Sequence, residues 1–465
     1  MSFNRDQVGE IEVSLSIYRN GERLENAQGA YDLKEFLRGF EIYESLQQAT
    51  LECMLILEDS AGLIGALTGS EVFVLNIVGT VQDRTYQFRS YEIASRSRGN
   101  QGSDMYIVNC ASDEYIRNEI TNVFGNSEVV FESSGFESSQ IVETLLSNQF
   151  YLGSQKNLFL EESLNSHQFV APNWRVFDTI YWIAARSIRS SQSGGALQNG
   201  FVFYENALGF HFKSIDKIIE DANDQTENQD TDVTTGRAKL YTYVYAPKKS
   251  DEGTRDQFKI DSVVFPNERN FLNGLRHGTW SGFSMGFDPN TITSSKMGVS
   301  TDMSVDAYRY SLSEMWNQMN HLGDGQFANP FEQADDQIQS YVDYPKRVRY
   351  TILPNQIFDQ RNAEQPGRNY EALVELQAYQ WMRFESLKTI KLQITIPGNL
   401  DLYVGSGIDV IIPSTSKSGS RMQEDRKYSG RYIIAALTHK SAGPTMTSEL
   451  FLVKDSIIYL PLYFL

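Results

Sequence analysis

The sequence has few of the residues on which several common classes of protein depend. It contains two cysteines, Cys53 and Cys110, and five histidines among 465 residues. So few cysteines argue against a disulfide framework and favour folding in a reducing compartment. The histidines are scattered, and neither an H-E-x-x-H nor a C-x-x-C motif occurs. A zinc site is therefore not predicted.

Positive charge and long apolar runs are also scarce. The formal net charge is −18 at pH 7, which argues against a surface that binds DNA or anionic membranes through clustered Lys and Arg. No segment reaches the ~18 apolar residues of a membrane span. The opening residues, MSFNRDQVGEIEV, lack the apolar run of a signal peptide.

Aromatic residues are abundant. The chain has 27 Phe and 25 Tyr, and 41% of its residues are hydrophobic. Phe and Tyr favour strands and provide large buried contacts in cores and interfaces. The length suggests about three domains of ~150 residues each.

The first 110 residues have the pattern of an antiparallel β-domain. Apolar residues alternate with polar ones in the first run, at Ile11, Val13, Leu15 and Ile17, and Asn20-Gly21 follows as a hairpin turn. Further strand-like runs, separated by turn residues, occur at 51–57, 72–77, 86–93 and 105–110. Short strands with polar turns are typical of a barrel or sandwich, so the first β-barrel is placed at 5–113.

The pattern changes to an α+β accessory domain at 114–220. Helical spacing is found at Tyr115–Phe124, at Ser139–Phe150 and after Asn173, which is the predicted N-cap of the third helix. A hairpin follows, with strands at Phe201–Glu205 and Phe210–Lys213. We predict that this helix and hairpin form a structural core.

The rest of the chain divides by composition. Residues 221–236 are acidic and polar and are predicted to be a solvated linker. Residues 237–299 and 388–454 are predicted to form a second, discontinuous barrel, which suggests a duplication of the first. Residues 300–387 are predicted to be an irregular insertion that ends in a helix at Asn369–Phe384, and 455–465 an apolar tail.

Two patterns could carry chemistry. Ser284 lies in a G-x-S-x-G sequence, but a nucleophile elbow requires a following helix, which Pro289 and Asn290 oppose. Glu161-Glu162 and the acids of 219–232 could supply paired carboxylates for glycoside hydrolysis, yet neighbouring side chains diverge and the second set lies in a polar segment. The prediction is that the chain has no catalytic, cofactor-binding or metal site and is not an enzyme.

Three stretches carry a resemblance to a known family. The first barrel contains CMLILEDSAGLIGALTGSEVFVLNI, the accessory domain contains GFVFYENALGFHFKSID, and the last barrel contains TIKLQITIPGNLDLYVGSGIDVIIP and YSGRYIIAALTHKSAGPTMTSELFLV. In this order, the chain resembles the central baseplate hub protein of T-even-type contractile-tailed bacteriophages, a family related to type VI secretion spike components.

The resemblance implies a structural protein of the virion tail baseplate, assembled in the host cytoplasm. It implies a homotrimer whose two tube-type barrels per chain give a ring of pseudo-sixfold symmetry. The implied partners are a trimeric puncturing spike, a tail-tube or tube-initiator protein, the tape-measure protein and baseplate wedge proteins. DNA would pass through the lumen without specific binding, and no membrane is involved.

Two other functions stay open at this point. One is a tail-associated hydrolase that uses Ser284 or an acidic pair. The other is a secretion-system spike component, which the end of the sequence at Leu465, with no spike following, disfavours.

The C-terminal tail is the predicted partner-binding segment. Its apolar residues are Ile457, Ile458, Leu460, Leu462, Phe464 and Leu465. Burial of four such side chains is worth several kcal/mol at ~1.5–3 each, and Pro461 favours an extended edge strand over a central one. The tail is expected to dock on a neighbouring subunit or partner. The alternative is that it folds back on its own barrel.

Overall fold

The computed structural model describes most of the chain, and it confirms the predicted β-rich α+β class. The described residues are 8–26, 29–30, 33–99, 102–125, 135–190, 198–245, 253–266, 271–288, 293–294, 308–323, 327–330, 335–344, 347–352, 359, 364, 366–418 and 421–458.

The N-terminal part consists of nine strands. They are β1 (Glu12–Arg19), β2 (Glu22–Arg23), β3 (Glu25–Asn26), β4 (Gly29–Ala30), β5 (Leu37–Ser45), β6 (Glu52–Asp59), β7 (Val72–Val78), β8 (Asp83–Arg98) and β9 (Asp104–Ala111). Short 3₁₀ helices lie at Leu33–Glu35 and Leu63–Gly65. Strict alternation of buried residues along β6 and β7 shows that one face of this sheet covers a core.

A mixed unit follows. Its elements are α1 (Asp113–Asn118), β10 (Asn122–Gly125), β11 (Phe136–Glu137), α2 (Ser138–Ser147), β12 (Asn157–Leu160), β13 (Ser166–His167), β14 (Ala171–Arg175), α3 (Val176–Ala184), β15 (Phe201–Asn206), β16 (Gly209–Ser214) and α4 (Ile215–Asn223). The predicted hairpin is confirmed: β15 and β16 pair antiparallel.

The next part contains short elements and one long helix. They are β17 (Thr242–Tyr245), a 3₁₀ helix (Gly253–Phe258), β18 (Lys259–Ile260), β19 (Ser262–Val264), α5 (Phe271–His277), β20 (Ser281–Asp288), β21 (Thr293–Ser294), β22 (Tyr308–Ser311), α6 (Leu312–Met315), a 3₁₀ helix (Trp316–Gln318), β23 (Phe327–Ala328), α7 (Asp336–Val342), β24 (Val348–Ile352) and α8 (Pro366–Leu387). The predicted helix at 369–384 is thus confirmed.

The last part is again β. Its strands are β25 (Ile390–Pro397), β26 (Gly407–Ile411), β27 (Pro413–Ser418), β28 (Arg421–Glu424), β29 (Gly430–Ala442), β30 (Met446–Lys454) and β31 (Ile457–Ile458).

One 14-stranded sheet joins the first and last parts of the chain. Its strand order is β18-β17-β26-β29-β5-β6-β9-β8-β7-β1-β2, and β30 and β25 continue from β29 to β19. Two apolar cores lie along it, one built from the N-terminal strands and one from the C-terminal strands together with α4. The sequence predicted two separate barrels, whereas most described strands of the first and last parts of the chain belong to one sheet because β29 pairs with β5.

The aromatic core of the mixed unit explains why the helix and hairpin fold together. The ring of Phe177 on α3 contacts Phe203 and Phe210 of the hairpin at centroid distances of 5.3 and 6.1 Å. The predicted N-cap was wrong: Asn173 lies in β14, and Arg175 is the residue before the helix. β14 pairs with β10 on both sides of Asn173, at Pro172 and at Trp174, so the strand continues past this residue. The same pairing explains why the end of 115–124 is a strand and not part of a helix.

Two further expectations differ from the structure. The segment 221–236 begins inside α4, and Gln225 is buried, with its Oε1 accepting from the Gly407 amide at 2.7 Å. Residues 281–288, predicted within the second barrel, pair instead with β21, β22 and β24 in a small separate sheet. Packing of this sheet against α8 explains the difference, because Ser284 bonds to Gln377 of that helix.

Candidate assembly surface

The two halves of the large sheet have matching strand arrangements. In the N-terminal half the order β7-β8-β9-β6-β5 is antiparallel throughout, and β26-β29-β30-β25-β19 has the same order and directions in the C-terminal half. A sixth strand flanks each set, but β1 runs antiparallel to β7 while β17 runs parallel to β26. The fold therefore contains the internal duplication that the sequence suggested, with one strand reversed.

The match extends to single residues. β8 has a bulge between Ser90 and Glu92, and β29 has one between Ile434 and Ala436. Just before each bulge, the amide of Ser90 donates to the Glu71 carbonyl at 2.9 Å and the amide of Ile434 donates to the Ser406 carbonyl at 3.0 Å. A bulge changes the direction of a strand. β8 therefore ends its pairing with β7, and β29 its pairing with β26, at equivalent positions.

Beyond its bulge, β29 pairs with a strand of the other half. Residues Ala436–Ala442 pair antiparallel with Gly39–Ser45 of β5. This ladder places Lys440 opposite Glu41 on one face, which favours the pairing electrostatically. One half thus adds its long strand to the edge of the other half.

The structure does not arrange the predicted serine for catalysis. Ser284 lies in the middle of the eight-residue β20, is fully buried, and donates from Oγ to Gln377 Oε1 at 2.8 Å. A nucleophile elbow requires an exposed serine at a turn from strand to helix. Among the histidines that could act as its base, His439 instead meets Ser448 Oγ with its Nδ1 at 2.8 Å.

The acidic pair is divided between two environments. Glu161 binds the buried Arg189, with Oε1 2.5 Å from Arg189 Nε, and its Oε2 accepts from the Ser214 amide at 2.6 Å. Glu162 contributes its backbone carbonyl to Ser190. The Glu161 carboxylate therefore holds the end of the hairpin in place.

A buried ionic cluster lies where α8, α4 and the start of the tail meet; we call Asp216, His321, Arg383 and Asp455 the Arg383 cluster. Arg383 Nη1 lies 3.3 Å from Asp455 Oδ2, and Arg383 Nε lies 3.6 Å from Asp216 Oδ1. His321 Nδ1 lies 2.8 Å from Asp455 Oδ2. The two carboxylates and the guanidinium are fully buried, so each carboxylate depends on Arg383 for charge compensation.

The tail leaves this cluster along the chain's own insertion. Ser456 Oγ donates to the Leu322 carbonyl at 2.8 Å, Ile457 is buried, and Ile457–Ile458 pair with Phe327–Ala328. The other predicted tail contacts, Leu460, Leu462, Phe464 and Leu465, lie outside the described residues. The start of the tail thus packs on its own subunit, and the role of the tail as a partner-binding segment stays a prediction.

A second ionic cluster lies within the mixed unit; we call Glu114, Lys156 and Glu205 the Lys156 cluster. Lys156 Nζ lies 2.6 Å from Glu114 Oε2 and 2.5 Å from Glu205 Oε1. Hydroxyls of Ser154 and Ser112 donate to the other oxygens of Glu114 and Glu205, at 2.8 and 2.7 Å. Because both carboxylates are buried, Lys156 is the cation that makes their burial tolerable.

Glu44 of β5 is buried between the two halves of the chain. Its carboxylate accepts from the amides of Ala207 and Val404 at 3.1 and 3.2 Å. Burial raises the pKa of Glu44 to about 7, against the opposing effect of these amides and of Arg84. The folded state therefore binds a proton that the unfolded chain releases near its ordinary value of 4.5.

Glu44 should make stability fall as the pH rises. A group whose pKa is higher in the folded state contributes its full stabilisation at pH values below the unfolded-state pKa. This stabilisation is lost as the pH rises through the folded-state pKa. Between about pH 5 and pH 8 the loss is expected to be about 3 kcal/mol in the free energy of unfolding. Urea titrations at several pH values would measure it. In Glu44→Gln this component disappears, and equal pH slopes in the two proteins would contradict the assignment.

Searches for a metal site and a membrane span give negative results for the described part of the chain. No group of three or more His, Cys, Asp or Glu residues there could hold a metal ion. None of the described helices is long and apolar enough to cross a membrane.

Among solved structures, one tail protein has a fold similar to that of this chain. No protein-family model and no curated protein sequence matches the chain. The chain is similar to the tail protein from Neisseria meningitidis MC58, with a TM-score of 0.50 and 9% identity over 96% of this chain and 97% of that one. The two share an overall fold.

Two more distant likenesses have lower TM-scores and carry no further conclusion. The prophage MuSo2 43 kDa tail protein from Shewanella oneidensis has a TM-score of 0.48 and 8% identity over 96% of this chain and 99% of that one. The E. coli c3393 protein, described as a component of the type VI secretion system, has a TM-score of 0.39 and 11% identity over 92% of this chain and 76% of that one.

Sequence reasoning identified the duplication but missed the strand that joins its two halves. The length of β8 and β29, 16 and 13 residues, was the available signal. Strands of globular proteins are mostly shorter, so a run of this length suggests more than one set of neighbours.

Proposed function

We propose that this chain is a structural protein of a phage tail, a trimeric baseplate hub that joins the tail tube to a cell-puncturing spike. The observation that carries the proposal is the fold shared with a tail protein along nearly the whole length of both chains. The matching halves of the large sheet support it, because two similar units per chain suit a ring with twice as many units as subunits.

We further propose that each half of the large sheet curls into a tube-type barrel. In the C-terminal half, the pairings run from β17 through β26, β29, β30 and β25 to β19. β18 directly precedes β19 in the chain and pairs with β17. This return to the first strand supports a closed unit. In the N-terminal half, the bridge between Glu10 and Thr445 brings the segment before β1 to the tip of the β29-β30 hairpin.

The partners in this proposal are those of a hub. They are the spike, the tail-tube or tube-initiator protein, the tape-measure protein and baseplate wedge proteins, with the tail beyond Ile458 as a partner contact. DNA would pass through the lumen, and the net charge of −18 suits passage without tight binding. The proposal assigns no catalytic role, which agrees with the burial of Ser284 and Glu161.

The proposed trimer predicts the mass of the assembled protein. Light scattering is expected to give three times the 52.9 kDa of one chain, alone or with a spike partner, and electron microscopy to show rings with a central opening. A trimeric interface of this kind should bury more than about 2,000 Å². A protein that stays monomeric both alone and with the spike would refute the proposal.

A further inference from the structure

The long strand β8 presents one sheet edge after its bulge. From Glu92 to Arg98 it pairs with β9 on one side, while no strand of the described residues pairs with its other side. Apolar side chains are exposed beside this edge: Tyr91 and Met105 have exposed fractions of 51% and 45%. Arg96 and Arg98 bind Asp104 of the same chain, so this edge is held in shape by ion pairs.

The strand β19 presents a second edge, in the other half of the sheet. Residues Ser262–Val264 pair with β25 on one side, and their other side meets no strand among those the structure describes. Apolar side chains are exposed here too: Val264 and Phe265 have exposed fractions of 52% and 43%. Natural proteins usually protect edges of this kind, and an exposed apolar edge favours strand addition.

The duplication shows how these two edges are related. β8 corresponds to β29 in the matched arrangement, and β19 corresponds to β5. Within one chain, the segment of β29 after its bulge pairs with the outer edge of β5. The corresponding pair, β8 with β19, does not form among the described residues. β8 and β19 have neighbours that correspond to those of β29 and β5. A second copy of the chain can therefore supply the partner that each of the two strands lacks.

The ladders give the register of the corresponding pair when it is counted along β9, because β8 has a second bulge, between Ala94 and Ser97, that β29 lacks. Lys440 lies opposite Glu41 and Thr447. The pair Ile433–Val453 in the C-terminal half is equivalent to the pair Arg89–Ala111 in the N-terminal half. Counting from these pairs along β30 and β9 places Met105 at the position of Thr447. Met105 itself lies opposite Ser97. Counting along β6 and β25 in the same way, Val264 takes the place of Glu41. Ser97 should therefore lie opposite Val264.

We propose that the end of β8 in one copy pairs antiparallel with Ser262–Phe265 of the next copy, with Arg96 opposite Phe265, Ser97 opposite Val264 and Arg98 opposite Val263. The inference rests on the proposed assembly of copies into a ring and names the contact that builds it. Each copy offers one edge of each kind, so the contact is head-to-tail and generates a closed ring when the rotation between copies closes. It would give backbone groups of both edges partners and cover Met105, Val264 and Phe265.

A double-cysteine variant tests the contact. Ser97→Cys combined with Val264→Cys places two exposed thiols within reach of a disulfide or a short bis-maleimide, since opposite residues of an antiparallel pair have Cβ atoms about 5 Å apart. The native Cys53 and Cys110 are buried and free. After assembly and mild oxidation, covalently linked oligomers are expected. The control pair, Ser97→Cys with Val233→Cys in the exposed turn after α4, should give at least about tenfold less linked product.

The outcomes separate this contact from the proposed function. Assembled protein, by mass, without linkage above the control would refute the contact and leave the hub proposal standing. Monomeric protein under all conditions would refute both. Hydrogen exchange of the wild-type chain gives a second measurement without substitutions: the amides of 96–98 and 262–265 should gain protection on assembly. Unchanged exchange at both segments in assembled protein would also overturn the contact.

Discussion

Replacement of Arg383 by Met is expected to lower the free energy of unfolding by about 3–5 kcal/mol, because it leaves two buried carboxylates without their cation. Arg383 has no exposed surface, and its Nη2 also donates to the Asn320 carbonyl at 2.6 Å. Urea denaturation of the wild-type and variant proteins under identical assembly conditions would measure the difference.

A matched control lies directly after the same helix. Lys388 pairs with Glu385 at 3.3 Å, and its side chain is 51% exposed, so Lys388→Met should change stability by less than about 1 kcal/mol. A loss in Arg383→Met no larger than that of the control would show that the Arg383 cluster does not hold α8 to α4 and the tail. The loss should also shrink in acid, where Asp455, whose pKa in the wild type is held below its ordinary value by His321 and Arg383 against the effect of burial, can take up a proton.

Replacement of Lys156 by Met should have an effect of similar size in a different part of the molecule. Glu114 and Glu205 would then remain buried without an opposing charge, and about 3–5 kcal/mol of stability should be lost at pH 8. Burial already raises the pKa of Glu205, and Lys156 opposes that effect. Without Lys156, both carboxyls should bind protons more readily in the folded state than in the unfolded chain.

The pH dependence gives this variant a distinctive signature. A carboxyl whose pKa is raised in the folded state stabilises the protein in acid, and this stabilisation is lost as the pH rises. The difference in unfolding free energy between the wild type and Lys156→Met should therefore be smaller at about pH 5 than at pH 8. Lys239→Met is the control, because its partner Asp230 is 98% exposed and the pair should contribute little. A difference that is constant from pH 5 to pH 8 would show that packing of the Lys156 stem, and not its charge, accounts for the loss.

Local patterns in the sequence were sufficient for much of the fold. The hairpin of Phe201–Asn206 and Gly209–Ser214 follows from alternation around a turn, and α8 from its apolar spacing. The alternating runs on both sides of the chain predicted the β-rich ends. Each of these features depends on residues that are close together in the sequence, where periodicity is informative.

The features that were missed depend on contacts between distant residues. Asn173 is an ordinary N-cap residue by type, yet it lies within β14, at a bulge between Pro172 and Trp174, which pair with Phe124 and Val123 of β10. The polar segment after Ile219 looks solvated, but Gln225 is buried because Gly407 requires an acceptor there. The pairing of β29 with β5 has no local signal, and neither do the two edges that define the proposed contact between copies.

The position of β29 in the chain also has a consequence for folding during synthesis. β5 is made early, but the strand that covers its outer edge comes late, and Glu44 and its amide donor Val404 are 360 positions apart. At a translation rate of 5–20 residues per second, the outer edge of β5 stays uncovered for roughly 20–80 s. Loop closure over such a distance slows folding. The nascent N-terminal half is therefore the part of this protein for which chaperone binding and premature aggregation should be greatest.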